Sequence, residues 1–200
     1  MSTPHGELIL VCLTLTRGMT TIIVVRTQHD EPARVVDAGS ARIDATYDAR
    51  DMTIFDDLRA SHAVQRTLAR RMTHARVSPD HRREAFLALA NELDAHATAE
   101  ERHFYVPLLM DDAGLAVTRH ALADHHKAMK LVDELRGVDP STDRFGELAK
   151  QLSGEVRDHL DEEEHGTFQL AGKLLSKTRQ RQLAIEYRAE YAKRGGPYAG

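Results

Sequence analysis

Four successive stretches between residues 53 and 176 carry apolar residues alternately three and four apart, and each breaks that seam with a histidine. Such spacing places one stripe of a helix against a core. In the first stretch the seam reads Phe55, Leu58, His62, Ala69, Met72, with Gln65 between. In the second it reads Phe86, Leu89, Leu93, His96, Glu100. The third gives Leu122, His125, Met129, Val132, Leu135, and the fourth Phe145, Leu148, Leu152, Val156, His159, Glu163. A histidine stands in every helix where a leucine is expected, and two helices add a glutamate one turn later.

The breaks between these stretches are short and well marked. Ser78-Pro79 is an N-cap followed by proline at the first helical position. Asp111-Asp112-Ala113-Gly114 interrupts the second and third, and Pro107 makes the end of the second irregular. Gly137 closes the third, and Asp139-Pro140-Ser141-Thr142 opens the fourth. Helices of similar length joined by short connections favour antiparallel neighbours. The expected fold is therefore all-α: an up-down-up-down four-helix bundle over residues 52–176, with a further basic helix and tail in 177–200. In that last helix Leu183, Tyr187 and Tyr191 lie one turn apart, which serves either packing against the bundle or a homodimer contact. Residues 1–51 show no helical repeat. Leu8 to Thr16 and Thr20 to Val25 are β-branched and apolar around Arg17-Gly18-Met19, the pattern of a short hairpin. The rest of that extension reads as polar linker, and Met52 is a natural start just before the first helix, so the extension is expected to be poorly ordered or not native.

Six polar groups on core seams demand compensation. Burying one unpaired costs several kcal/mol, and six would consume a net stability of roughly 5–15 kcal/mol. A metal site compensates directly. His and Glu at i, i+4 project from one helix face, and imidazole with carboxylate suits iron, manganese or zinc. In an antiparallel bundle His62, His96, Glu100, His125, His159 and Glu163 fall at similar heights, so these six are the candidate ligands. His74, His81, His103, His120, His126 and His165 fall off the seams and read as solvated. Glu101, Glu162 and Glu164 sit beside the ligands, on the exterior or as outer hydrogen-bond partners.

Taken in order, His62, then His96-Ala-Thr-Ala-Glu100, then His125, then His159-Leu-Asp-Glu-Glu163 resembles the hemerythrin family in its HHE cation-binding branch. The flanking Phe104-Tyr105-Val106-Pro107 and Asp124-His125 agree, and the likeness covers about residues 53–172. The resemblance implies a cofactor of two non-haem iron ions, oxo- or hydroxo-bridged, with the two glutamates bridging them. One departure matters: the oxygen carriers of that family have a second histidine one turn from the first on the third helix, where this chain has Ala121 and Met129. Two octahedral irons offer about twelve positions. The six residues and a bridging oxygen fill about ten of these, which leaves about one more open position than in a carrier. That favours peroxide or nitric oxide chemistry over reversible oxygen storage. A ferritin-like site needs Glu-x-x-His, and here His comes first at a spacing of four.

Two function classes follow. The first is a di-iron protein that binds or reacts with a small gaseous or peroxide ligand (O2, H2O2 or NO), with catalase-like peroxide disproportionation as its enzymatic form. The second is a module that senses or buffers iron or oxygen without turnover. A bundle without metal leaves the seam histidines unexplained. The net charge of -4 argues against nucleic-acid or acidic-membrane partners. The one cysteine, Cys12, forms no internal disulfide and fits a reducing cytoplasm. The longest apolar stretch, Leu8 to Val25, contains Arg17 and Gly18 and is not a membrane span.

Overall fold

The computed structural model describes residues 52–195 and the backbone of two strands, β1 (Leu8–Leu15) and β2 (Met19–Arg26). The strands pair antiparallel, Leu8 opposite Arg26 through Leu15 opposite Met19, in a unit of their own. The expectations of a linker and of a non-native start fall outside the described residues.

The helical unit contains five helices among the described residues. Helix α1 spans Ile54–Thr73. Helix α2 runs Pro79–Glu100 and continues through a π-helical turn, Glu101–Tyr105, into a stub, Val106–Leu108. Helix α3 spans Asp112–Arg136. Helix α4 runs Asp143–Glu162, then a second π-helical turn, Glu163–Thr167, then Phe168–Leu174. Helix α5 spans Lys177–Lys193. The starts are chemically fixed. The Asp56 carboxylate accepts from the Thr53 backbone N–H at 2.8 Å. Asp111, Thr142 and Ser176 accept the first free N–H groups of α3, α4 and α5, donors that would otherwise stay unpaired.

Helices α1 to α4 form a ring in which each packs on its sequence neighbours and α4 returns to α1, while α5 lies across α1 and α2. The apolar interior divides into two clusters. One, around Met72, Phe86, Leu89, Val132, Phe145 and Leu152, fills the end near the α1–α2 connection. The other, around Ile54, Leu58, Phe104, Phe168, Leu183 and Tyr187, fills the opposite end beneath α5. The seam histidines fall between the two. Leu183, Tyr187 and Tyr191 are buried within the chain, so α5 uses its apolar face for packing on the bundle.

Two expectations shift. Gly114 lies inside α3 rather than in a break, because the first turn of α3 touches the carbonyl of Leu108. A Cβ at Gly114 would stand 2.1 Å from that oxygen. Gly114→Ala is expected to cost roughly 1–3 kcal/mol or more, since backbone cannot move as a side chain can. A lower urea midpoint at unchanged slope would show it. Helix α3 is also turned slightly from the expected phase: Ala121 and Ala128 are buried, and Leu122 and Met129 are half-buried.

Candidate metal centre

All six expected ligands reach one layer of the bundle. His62 comes from α1, His96 and Glu100 from α2, His125 from α3, and His159 and Glu163 from α4. Their inward atoms crowd together. His62 Nε2 lies 3.1 Å from Glu163 Oε2, and His96 Nε2 lies 3.2 Å from Glu100 Oε2. His125 Nε2 lies 3.3 Å from the same Glu100 oxygen and 3.1 Å from His159 Nε2. The ligand atoms form two overlapping groups: His62, His96, Glu100 and Glu163, and then Glu100, His125 and His159. Glu100 belongs to both.

Seven buried side-chain oxygen or nitrogen atoms among the described residues lack a hydrogen-bond partner, and five are here: His62 Nε2, His96 Nε2, both Glu100 oxygens and Glu163 Oε2. Each such atom costs about 1–3 kcal/mol when left unsatisfied. A cation in each group would satisfy them together, so nitrogen and carboxylate donors of this kind fit metal binding.

The outer faces of the imidazoles are held as deliberately. His62 Nδ1 donates to Glu164 Oε1 at 2.8 Å, and His125 Nδ1 donates to Glu101 Oε1 at 3.0 Å. His159 Nδ1 faces Asp124 Oδ2 at 3.7 Å. His96 differs, because its Nδ1 meets two hydroxyls, Ser61 Oγ at 2.9 Å and Tyr187 OH at 3.0 Å. Ser61 sends its only proton to Glu92 Oε1 at 2.6 Å, so its oxygen accepts from His96. Tyr191 also donates to Glu92. The carboxylates and Ser61 therefore favour a proton on Nδ1 and leave the Nε2 lone pair facing inward, the arrangement that metal-binding histidines use.

Protons hold the charge of this layer when no cation does. Burial pushes His62 down, but the Glu163 and Glu164 carboxylates outweigh it and raise it to about 9. Burial opposes His125 in the same way, and Glu100 and Glu101 raise it to about 10. Burial pushes Glu100 up, yet His96 and His125 hold it well below the usual carboxylate range. Glu164 falls to about 2 through its hydrogen bond from His62, against burial and with help from Arg66. Metal uptake must displace the two histidine protons. At pH 7 loading is expected to release about two protons per chain, measured by indicator dye in weak buffer. The same shifts carry a stability sign. Both histidines are raised above their ordinary 6.5, so their contribution to metal-free stability is complete below that pH. It fades as pH rises through about 9 and about 10.

The resemblance implied two bridging glutamates, and their hydrogen bonding differs. Glu163 Oε1 accepts from Tyr105 OH at 2.6 Å and its Oε2 faces His62, whereas neither Glu100 oxygen has a hydrogen-bond partner. The second group has three protein donors. Beside the donors, walled by Leu93, Ala128, Met129 and Val156, lies a cavity of about 20 Å³ that His96, His125 and His159 also line. Half-buried Met129, on the helix face where a carrier would place its extra histidine, leaves that space. Neither Glu101, His103 nor Tyr105 enters the inward group: Glu101 is behind His125, and His103 faces Glu186 at 3.6 Å.

Sequence reasoning missed Ser61, Glu92 and Tyr187, and left Asp124, Glu101 and Glu164 without partners. One signal was present. Both motifs double their glutamate, so the second residue, about 100° further round the helix, reaches an imidazole on a neighbouring helix. The off-seam histidines are exposed or half-exposed, as expected. Among the described residues no helix is long and apolar enough to cross a membrane.

Comparison with known proteins gives three findings. The family model described as Hemerythrin HHE cation binding domain matches residues 53–171. A curated protein named DNA nickase, from Nostoc sp. (strain PCC 7120 / SAG 25.82 / UTEX 2576), is 28% identical over 146 residues, 73% of this chain and 41% of that one. The chain therefore spans about two-fifths of that relative's length. The crystal structure of a hemerythrin HHE cation binding domain-containing protein from Mycobacterium kansasii aligns with a TM-score of 0.63 at 23% identity, covering 72% of this chain and 88% of that one.

Proposed function

The chain belongs to the hemerythrin HHE cation-binding family, and from that footing we propose that it holds two iron ions and disproportionates peroxide, 2 H2O2 → 2 H2O + O2. The observation that carries this reading is the pair of donor groups sharing Glu100, whose two carboxylate oxygens are buried and uncommitted. His62, His96, Glu100 and Glu163 would hold one ion, and Glu100, His125 and His159 the other. Bound iron would supply redox equivalents and Lewis acidity.

The chain's own residues supply the rest. Glu101, Glu164, Asp124 and the Ser61–Tyr187 pair fix each imidazole so that only Nε2 faces inward. Tyr105 holds Glu163 by one oxygen. Burial pushes the Tyr105 phenol well above its ordinary range, and the Glu163 and Glu100 charges push the same way, so at neutral pH it keeps its proton. The cavity beside His125 and His159 exceeds the roughly 10–15 Å³ that one water needs, and its size suits a peroxide or a diatomic molecule. The net charge of -4, with Arg188 and Arg102 facing Asp57 and Glu190, supports a small ligand over a polyanion such as nucleic acid.

The test is oxygen evolution from hydrogen peroxide by protein loaded with iron and freed of excess metal. One O2 per two peroxides, at a rate well above the same iron in buffer, supports the proposal. Two bound irons without turnover would replace it with the sensing or buffering reading.

A further inference from the structure

A second space adjoins the centre and shares His159 and Asp124 with the first cavity. Between α3 and the π-helical turn of α4 lies a pocket of about 320 Å³. Its polar groups grade from buried to exposed, with His159 and Asp124, at 12% and 25%, between the extremes. Tyr105 and Glu163 are 1% and 2% exposed, whereas the His120 and Glu162 side chains, 2.9 Å apart, are each 64% exposed. The lining also carries Ala116, Val117, Ala121 and Gly166. The space is roughly ten times the 30 Å³ share of one water molecule and lies at the low end of the roughly 300–1,000 Å³ typical of small-molecule sites. A peroxide alone has no use for it. An O–O group at the buried end, an apolar body along the alanines and valine, and an open mouth describe one class of molecule.

We propose that this pocket binds the organic part of a small organic hydroperoxide, ROOH, with its O–O group at the Glu163–Tyr105 end. The inference rests on the peroxide reading of the centre. The reaction balances without a further reductant: ROOH + H2O2 → ROH + O2 + H2O. The O–O bond of ROOH breaks as it gains two electrons and two protons, giving alcohol and water. Hydrogen peroxide loses the same two electrons and two protons and leaves as O2. ROOH therefore takes the place of one of the two peroxides in the disproportionation.

Gly166 offers a clean test, because a Cβ there meets nothing within 4 Å. Gly166 lines the pocket, and a larger side chain fits there without displacing the helix. Iron-loaded wild type and Gly166→Leu are each given hydrogen peroxide alone, then cumene hydroperoxide with hydrogen peroxide. Cumyl alcohol and O2 are quantified. Wild type is expected to form cumyl alcohol in the mixture, at up to one alcohol per O2, with the remaining O2 coming from hydrogen peroxide alone. In Gly166→Leu the ratio of organic to hydrogen peroxide turnover is expected to fall more than about tenfold, as when a hydrophobic pocket loses fit. Val117→Phe, from the opposite wall, is expected to do the same. An unchanged ratio in both variants overturns the pocket, as does a wild type that consumes hydrogen peroxide but makes no alcohol; in either case the peroxide reading stands. If neither peroxide reacts, that reading has failed, and binding of cumyl alcohol to metal-free protein by saturation-transfer NMR decides the pocket alone. Binding lost in Gly166→Leu supports it, and no binding to wild type overturns it.

Discussion

Glu100→Gln protein is expected to fold and to purify nearly free of metal. Glutamine keeps the volume of the side chain, so Ala95, Ala99 and the neighbouring apolar clusters retain their packing. What it loses is an anionic oxygen in each of the two donor groups, which Glu100 alone joins. Loss of a hydrogen-bond partner behind a ligand costs about 10–100-fold in metal affinity. Loss of a carboxylate shared by both ions is expected to exceed about 100-fold for each of them. Metal analysis and competitive titration with a chelator would measure this. Glu163→Gln is expected to weaken one ion far more than the other, because Glu163 enters only the first group. Equal loss of both would mean that Glu163 spans the two positions when they are filled.

Tyr187→Phe carries the second largest expected effect, from a residue outside the four-helix ring. The phenyl ring still fills the space against His96 and Tyr191, whose ring centroids lie 6.2 Å and 5.4 Å away. Only the hydroxyl 3.0 Å from His96 Nδ1 disappears. Metal affinity is expected to drop about 10–100-fold, while metal-free stability changes by about 1 kcal/mol, the usual worth of one hydrogen bond. Tyr191→Phe, one residue further out through Glu92, is expected to do less. A Tyr187→Phe protein that binds metal like wild type would show that α5 only covers the bundle.

The bundle was legible because histidine and glutamate replaced leucine at seam positions on four helices at once, a pattern that packing alone does not produce. Helix ends were legible from local chemistry, as at Ser78-Pro79 and Thr142. The phase of α3 was not. Leucine and methionine look more core-forming than alanine, yet the small Ala121 and Ala128 took the buried face and left Met129 beside a cavity. The two π-helical turns carry no local signature, since their extra residue reflects how α2 and α4 pass the layer. The outer partners were hardest to read. Ser61–His96 and Tyr187–His96 join residues 35 and 91 positions apart, a pairing that exists only once the helices are in place. For Leu183, Tyr187 and Tyr191 the sequence left packing and dimer contact open, and the structure buries all three within the chain.

The most direct test of the account is the metal content of protein purified without added metal, read with its visible absorption spectrum. The account predicts about two irons per chain and ligand-to-iron absorption that vanishes on chelation. A single ion, zinc in place of iron, or a colourless metal-free protein that takes up no iron would contradict it.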